Sequence, residues 1–292
     1  MTKETKNLIL VASFLTFFVL SYLIVLYAFG WQFDFKSFKW QETGGLLLKA
    51  NMEGIRVFIN DDFKGKTSFL SNTFIQKNIL PGGYNLTFKK DGFPVLGKKI
   101  EVKSGEASQL IHLYLADSTE ISDFIANSEP RKENPDYFIN RADGLLYRRF
   151  ENEKLEKISS ESVYIKDFRL KVLQENIYLA SSDPAAPGVF LLDSTGQWEQ
   201  IHSLMTNDLN LSPDNKKMVI VGPAEITILW LKNENEPPYF KKNHKETILK
   251  TGERIKEALW FKTGWHIIYL TESGETHFLE LDPLGGRNDV KI

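Results

Sequence analysis

Residues 211–221 read LSPDNKKMVIV, in which a Ser-Pro-Asp-Asn turn signal leads directly into an apolar strand. A tight turn and a return strand at 226–231 follow. A second copy covers residues 258–270, ALWFKTGWHIIYL, and its return strand lies at 276–281. Paired strands that recur with a period of roughly 40–50 residues are typical of β-propeller blades.

Earlier parts of the chain fit the same template. The strands that match it lie at 137–140, 145–148, 163–166, 176–180 and 189–193. We therefore predict a β-propeller-like repeat domain over residues 137–292. Its length suits about three or four blades, so the alternatives are a small four-bladed propeller, an open array of blades and a barrel-like β fold. The pattern predicts that Trp198, Trp230, Trp260 and Trp265 belong to the blade core.

The first of these repeats resembles the WD40-like repeats of the TolB type, in which Ser-Pro-Asp-Gly-Lys precedes a strand. Here Ser212-Pro213-Asp214 is followed by Asn215, which replaces the usual Gly and still tolerates a positive φ. The second copy, 261–265, has diverged further. The resemblance implies a propeller of a kind that sometimes accompanies peptidases. Within the motif, Asp214 is expected to stabilise the turn by accepting backbone N–H groups.

A second β region covers residues 44–116. Residues 80–88 read LPGGYNLTF, in which a Pro-Gly-Gly turn precedes a strand of period two. Tyr84, Leu86 and Phe88 therefore share one face. In an earlier strand, Val57 and Ile59 are the predicted inward residues.

Five separated motifs in this region resemble the PEGA domain in order and spacing. They are Glu53-Gly54, Val57 to Asp61, Gly65-Lys66-Thr67, Leu80 to Tyr84, and Lys89 to Phe93. Met52, Ile55 and Ser68 depart from the family pattern, and residues 71–78 are expected to be an insertion that lengthens a loop. The resemblance implies a small β-sandwich of bacterial and archaeal surface and envelope proteins, without catalytic residues.

The N-terminus carries an uncharged apolar stretch. Residues 8–29 read LILVASFLTFFVLSYLIVLYAF, and at 1.5 Å per residue they span roughly 33 Å, enough for a bilayer core. We expect an uncleaved signal anchor, with residues 1–7 as a cytoplasmic tail and the bulk of the chain extracytoplasmic. Residues 30–43 are expected to be a juxtamembrane linker, whose aromatic residues suit the lipid headgroup boundary.

Residues 117–136 are expected to form a connector between the two β regions. Asp117-Ser118-Thr119-Glu120 is a capping pattern for a short helix that reaches Ala126. The predicted fold class is thus an all-β soluble region, a small β-sandwich plus β-propeller-like repeats, behind one N-terminal transmembrane helix.

The sequence contains few features that indicate a catalytic or ligand-binding site. The chain has no cysteine and a net charge of -2, so it gives no electrostatic case for nucleic-acid binding. It lacks a nucleophile elbow, a phosphate-binding loop and a dinucleotide-binding motif. Its five histidines form no metal motif, although two of them lie on adjoining predicted strands; they are His112, His202, His244, His266 and His277. We assign no catalytic, cofactor-binding or metal-binding residue and expect no cofactor.

These features favour a non-catalytic, membrane-anchored binding or scaffold protein of the cell envelope. Its expected partners are membrane lipid through the helix and an envelope protein or a cell-wall polymer or glycan, with no nucleic acid. Two alternatives stay open. One is an accessory or degenerate member of a propeller-containing hydrolase system, and the other is a membrane sensor that acts through a partner.

Overall fold

The structure is a computed structural model of the 292-residue chain and describes residues 2–35, 37–128, 136–173 and 175–292. Two compact units are present. One contains the residues up to Ala116 together with Pro283–Gly286, and the other contains Asp117–Asp282 and Arg287–Ile292. Within the first unit, Lys98 Nζ donates a hydrogen bond to the carbonyl oxygen of Gly286 at 2.7 Å.

The N-terminal helix, α1, covers Lys3–Ala28. It begins before the predicted apolar span because the hydroxyl of Thr2 caps it, accepting the backbone N–H of Thr5 at 3.3 Å. Its stretch Thr5–Ala28 has a mean hydropathy of 2.6. By length and composition, α1 is therefore able to cross a membrane or to act as a signal anchor.

The segment predicted as a juxtamembrane linker contains a two-stranded antiparallel hairpin. Its strands are β1 (Trp31–Asp34) and β2 (Lys39–Glu42). Gly30 precedes the hairpin with φ +80, a conformation that glycine adopts without steric cost.

A small β-sandwich follows. Its strands are β3 (Gly44–Ala50), β4 (Arg56–Ile59), β5 (Asp62–Lys66), β6 (Thr73–Ile79), β7 (Gly82–Lys89), β8 (Leu96–Val102) and β9 (Ala107–Leu113). One sheet has the strand order β6-β3-β9 and the other β5-β4-β7-β8. The pair β3–β9 is parallel, and the other neighbours are antiparallel.

The inward faces of two sandwich strands are as predicted. Val57 and Ile59 of β4 are buried, and so are Leu86 and Phe88 of β7. Tyr84 is half-buried, and its hydroxyl donates to the carbonyl oxygen of Leu80 at 2.8 Å. The alternation of apolar and polar residues thus places the apolar side chains between the sheets.

The expectation of a lengthened loop at residues 71–78 is wrong. Most of this stretch belongs to β6, which pairs with β3 over a register that includes Phe74 opposite Leu48. Phe74 and Ile79 are both buried. Because β6 supplies core side chains, the segment forms an edge strand of the sandwich.

The short helix predicted after the sandwich is confirmed as α2 (Ser118–Ala126). Asp117 caps it, its carboxylate accepting the backbone N–H of Glu120 at 2.7 Å. Ile121 is fully buried, and the ring of Phe124 lies 5.0 Å from that of Phe261. These contacts attach the helix to the repeat region of the same unit.

The repeat region consists of successive antiparallel meanders. Its strands are β10 (Tyr137–Ile139), β11 (Leu146–Arg149), β12 (Leu155–Lys157), β13 (Phe168–Leu173), β14 (Asn176–Ser181), β15 (Gly188–Leu192), β16 (Trp198–His202), β17 (Asp208–Leu211), β18 (Lys217–Val221), β19 (Glu225–Trp230), β20 (Lys245–Lys250), β21 (Ile255–Trp260), β22 (His266–Thr271), β23 (Thr276–Glu280) and β24 (Asp289–Lys291). They form one three-stranded sheet, β10–β12, and three four-stranded sheets in chain order. This is a propeller-like arrangement, so the predicted all-β fold class is confirmed.

The strand predicted at 163–166 is wrong, because the second sheet begins with β13 at Phe168–Leu173. The carboxylate of Asp183 accepts the backbone N–H of Lys166 at 3.0 Å. This side-chain bond occupies a backbone donor that a sheet ladder would otherwise use, so the stretch stays a loop.

Apolar clusters join neighbouring sheets. One cluster joins the third and fourth sheets and includes Trp230, Trp260 and Trp265, which are buried as predicted. Another joins the second and third sheets. Trp198 is half-buried and belongs to neither cluster.

His202, at the end of β16, predicts a pH dependence of stability. Its side chain is buried, and burial together with the nearby Lys245 lowers its pKa to about 4. The unfolded chain therefore takes up this proton first as the pH falls, so stability is complete above pH ~6.5 and decreases towards pH ~4. We expect a loss of about 3 kcal/mol over that window.

The measurement is chemical unfolding of the full chain in detergent at several pH values. His202→Gln, which cannot titrate, serves as the comparison. An identical pH dependence of the two proteins would show that His202 does not carry this effect.

Candidate functional site

The first strands of three sheets lie side by side in the repeat region. β13 contacts β17, and β17 contacts β21. In a propeller the first strands of the blades surround the central axis, where the loops that precede them converge. This inner row is therefore the place where residues distant in sequence come together.

A buried ion pair joins β13 to β17. Lys171 Nζ lies 3.2 Å from Asp208 Oδ1, and both side chains are less than one-tenth exposed. Desolvating two charges costs about as much free energy as their attraction returns. A buried ion pair therefore adds little net stability to a fold, and its presence calls for another explanation. Its position beside a cleft makes it a candidate for function.

Arg169 extends this pair towards solvent. Its Nη1 lies 3.8 Å from Asp208 Oδ2, and its side chain is 56% exposed. The amide of Asn210 approaches the same carboxylate oxygen at 3.5 Å. Asp208 thus orients a guanidinium whose outer face is accessible to a ligand.

Two clefts share Phe168 and Arg169. The smaller, of about 390 Å³, has a largely polar lining: Asp167, Phe168, Arg169, Ala180, Ser182, Asn207, Ile255, Lys256 and Glu272. These residues come from the starts of β13 and β21, from the end of β14, and from the loops beside β13, β14, β17 and β22. Oppositely charged side chains are interspersed here, so the cleft presents no excess of either sign.

The larger cleft, of about 670 Å³, is aromatic and cationic. It is lined by residues of the first and second sheets and of the loops that follow β10 and precede β13: Tyr137, Phe138, Ile139, Asn140, Arg141, Gly144, Val163, Tyr164, Ile165, Lys166, Phe168, Arg169 and Leu170. Four of them are aromatic, three are cationic, and none of these described lining residues is a carboxylate. We call the two clefts and the Lys171–Asp208 pair the inner-strand site.

This arrangement suits binding of an anion that carries a ring. Cations supply charge-assisted hydrogen bonds to a carboxylate or phosphate, and aromatic faces accept the apolar side of a ring. Among the lining residues that the structure describes there is no histidine, and no hydroxyl is hydrogen-bonded to a base. The larger cleft therefore offers cations and aromatic faces for recognition of such a ligand.

The Ser-Pro-Asp motif lies in a turn, as the sequence predicts. Asp214 accepts the hydroxyl of Ser212 at 2.5 Å and the backbone N–H of Lys216 at 3.1 Å. Burial raises the pKa of Asp214, but these hydrogen bonds and two neighbouring lysines outweigh it, so the net pKa is lowered. Asn215 has φ +55, the left-handed conformation that was expected for this turn position.

The turn also holds a fully buried lysine. Lys217 Nζ lies 3.5 Å from Asp214 Oδ2, 3.5 Å from Glu234 Oε1 and 4.5 Å from the ring centroid of Trp265. The sequence pattern does not distinguish this lysine from the solvated Lys216 beside it.

The two histidines on adjoining strands do not form a pair. His266 lies opposite Glu280, whereas His277 lies opposite Tyr269, three positions further along the ladder. His266 stacks on Phe278 at 4.8 Å, and His277 Nδ1 lies 3.1 Å from Asp289. Across the described parts of the chain, no group of three His, Asp or Glu side chains is arranged to hold a metal ion.

Asp289 also accepts the hydroxyl of Tyr269 at 2.7 Å. Burial, followed by this hydrogen bond, raises the pKa of Tyr269 well above its usual range. The tyrosine therefore stays a neutral donor and supports the edge of the fourth sheet, outside the inner-strand site.

Comparison with known proteins gives structural likeness only. No family model matches the chain, and no curated protein matches it. It is similar to the periplasmic gluconolactonase of Pseudomonas aeruginosa, with 11% identity, coverage of 90% of this chain and 91% of that chain, and a TM-score of 0.34. It is also similar to a protein of Bacteroides fragilis provisionally named a 6-phosphogluconolactonase, with 11% identity, coverage of 85% and 84%, and a TM-score of 0.33.

A third similar structure is a protein from Lactobacillus plantarum, with 8% identity, coverage of 82% of each chain and a TM-score of 0.34. All three TM-scores are low, so no residue role and no reaction is transferred from these proteins.

The prediction of a non-catalytic envelope scaffold is corrected. Two of the similar structures are named as lactonases, which are enzymes, and this finding stands against the scaffold prediction. The expectation that the chain itself is not an enzyme stays a prediction, and the PEGA resemblance likewise stays an expectation.

Sequence reasoning assigned no site residue and missed the inner-strand site. The available signal was weak: Arg169 and Lys171 alternate with apolar residues in β13, and Asp208 opens β17. Charges of opposite sign on two first strands would have suggested a pair facing the propeller axis.

Proposed function

We propose that this chain is an accessory or degenerate member of a propeller-containing hydrolase system, and that its inner-strand site holds an anionic, ring-bearing substrate or product. The observation that carries the proposal is the larger cleft, whose described lining combines four aromatic and three cationic residues without a carboxylate. Such a lining attracts an anion.

The volume of the larger cleft suits a small ligand. A volume of about 670 Å³ falls within the range of small-molecule sites. Asp208 attracts the guanidinium of Arg169 towards the cleft at 3.8 Å, which reduces the side-chain entropy that is lost on binding. A sugar acid or phosphorylated sugar has both the charge and the ring that this site fits.

The accessory role rests on the residues that line the site. A hydrolase needs a nucleophile or an activated water with a base within hydrogen-bond reach. In the larger cleft, the described lining supplies donors and aromatic surfaces but no carboxylate or histidine that could act as the base. We therefore infer that the chain presents the ligand to a hydrolytic partner.

The proposed location is the outer side of a membrane, with α1 as an uncleaved signal anchor and the N-terminus in the cytoplasm. The apolar length of α1 and the small excess of basic residues at its start support this placement. A C-terminal alkaline phosphatase fusion that is inactive in a bacterium would contradict it.

We also propose that the sandwich is a PEGA-type domain, because five of its motifs resemble that family in order and spacing.

The proposal predicts charge-selective binding. Titration calorimetry of the full chain in detergent should detect binding of glucuronate, a ring with a carboxylate, and at least about tenfold weaker binding of uncharged glucose, a difference of about 1.4 kcal/mol. Binding should weaken as salt is raised, because exposed charges are screened.

Arg169→Gln should weaken glucuronate binding by about tenfold, since it removes a charge-assisted hydrogen bond. Lys64→Gln is the matched control, because Lys64 is a partly exposed cation of the sandwich with an acidic neighbour. Equal affinities for glucuronate and glucose, or equal effects of the two substitutions, would reject the proposal.

A further inference from the structure

We infer that the β1–β2 hairpin is an interfacial membrane anchor, which lies beside the C-terminal end of α1 with its aromatic face in the boundary between lipid headgroups and acyl chains. The inference rests on the membrane-spanning role of α1 in the proposed function. It adds a second element that contacts lipid and fixes the orientation of the first unit at the bilayer.

The register of the hairpin gives it two chemically different faces. Cross-strand partners project to the same face, and Phe33 pairs with Trp40, while Trp31 pairs with Glu42. The opposite face carries the partners Gln32 and Gln41, and Asp34 and Lys39. One face therefore carries three aromatic side chains together with Glu42, whose carboxylate accepts the hydroxyl of Ser104 at 3.1 Å, and the other face is polar.

The aromatic face extends around the tip of the hairpin. The ring of Phe33 lies 5.2 Å from Phe35, 6.2 Å from Phe38 and 5.5 Å from Trp40. Phe35 and Phe38 are nevertheless 78% and 76% exposed. A contiguous exposed aromatic surface marks an interaction site.

The polar face carries a hydrogen-bond network centred on Asp34. The carboxylate of Asp34 accepts the hydroxyl of Ser37 at 2.7 Å and the amide of Gln41 at 3.2 Å. This network organises the turn without using the aromatic face. The hairpin thus presents its rings outwards with its polar groups on the other side, as an interfacial element requires.

The hairpin is tied to the end of the membrane-spanning helix. Thr43, directly after β2, donates both its backbone N–H, at 2.8 Å, and its hydroxyl, at 2.6 Å, to the carbonyl oxygen of Gly30. Gly30 itself donates to the carbonyl oxygen of Tyr27. Because these bonds close the base of the hairpin at the helix end, its aromatic face starts at the depth where Trp and Tyr prefer to reside.

Lipid is the occupant that these observations favour. A two-stranded hairpin alone is marginal in water, and continuity with α1 places this one at the bilayer surface. The neighbouring Lys39 adds a cation that is suited to anionic headgroups. A protein that covers the same face is the competing outcome.

The absence of cysteine permits a direct test. Phe35→Cys and Phe38→Cys of the full chain are labelled with an environment-sensitive fluorophore and reconstituted in vesicles of phosphatidylcholine and phosphatidylglycerol. Ser13→Cys, in α1, reports the span, and Asp91→Cys, whose native carboxylate side chain is 94% exposed, reports the aqueous phase.

Probes at 35 and 38 should be quenched by lipids that are spin-labelled near the headgroup, and iodide should quench them about fivefold less than the probe at 91. Iodide quenching at 35 and 38 equal to that at 91, with position 13 protected, would overturn the hairpin anchor while leaving the membrane span intact. Iodide access at position 13 would instead refute the span. Shielding in native membranes but not in pure lipid would assign the face to a protein and overturn the inference.

Discussion

Asp208→Ala is expected to lower the free energy of unfolding by about 3–5 kcal/mol, because it leaves the buried ammonium of Lys171 without the carboxylate 3.2 Å away. An unpaired buried charge has lost its hydration and has gained no attraction in return. Chemical unfolding of the full chain in detergent, followed by tryptophan fluorescence, measures the change. The affinity for glucuronate should fall as well, since Asp208 orients Arg169.

A double substitution separates stability from function. Lys171→Met with Asp208→Leu replaces the pair by apolar side chains and should recover most of the lost stability, as other buried ion pairs do. It should not recover ligand affinity. Asp62→Ala, which removes an exposed partner of Lys64, should cost less than about 1 kcal/mol. A double variant as unstable as Asp208→Ala would mean that the ion pair is required by the fold.

Gly188→Ala is expected to lower the free energy of unfolding by about 2–5 kcal/mol, because the added methyl group overpacks the second sheet and strains its backbone. An added Cβ would lie 2.1 Å from the carbonyl oxygen of His202, and Gly188 has φ +136. The neighbouring atom belongs to the backbone of β16, so the clash is relieved only by separating β15 from β16. The same unfolding measurement reports the loss.

Gly274→Ala is the matched control for backbone strain alone. Gly274 has φ +89, but nothing lies within 4 Å of an added Cβ. Gly274→Ala should therefore lower the free energy of unfolding by only about 1–2 kcal/mol, the penalty for a left-handed backbone conformation. Equal losses for the two variants would show that the close approach of β15 and β16 is not tight.

Local sequence patterns predicted much of the fold. The alternation in residues 84–88 placed Leu86 and Phe88 in the core, and the capping pattern at Asp117 predicted α2. Both features depend on neighbours in sequence, which is the range over which periodicity and capping act. The segment at residues 71–78 failed because an edge strand of modest hydrophobicity resembles an insertion until its partner, β3, is known.

Local sequence patterns could not predict the inner-strand site. Lys171 and Asp208 lie on different sheets and meet only when β13 and β17 are placed side by side. The aromatic and cationic cleft likewise joins residues 137–141 to residues 163–170 across two sheets. The hairpin at Trp31–Glu42 had the composition of an interfacial segment, but its two faces follow from the pairing register.

Hydrogen–deuterium exchange of the full chain in detergent, with saturating glucuronate or glucose, tests the inner-strand site most directly. We predict that glucuronate slows exchange at residues 137–141, 163–170 and 207–208, and that glucose does not. Unchanged exchange in these segments, or protection confined to other parts of the chain, would contradict the proposed site.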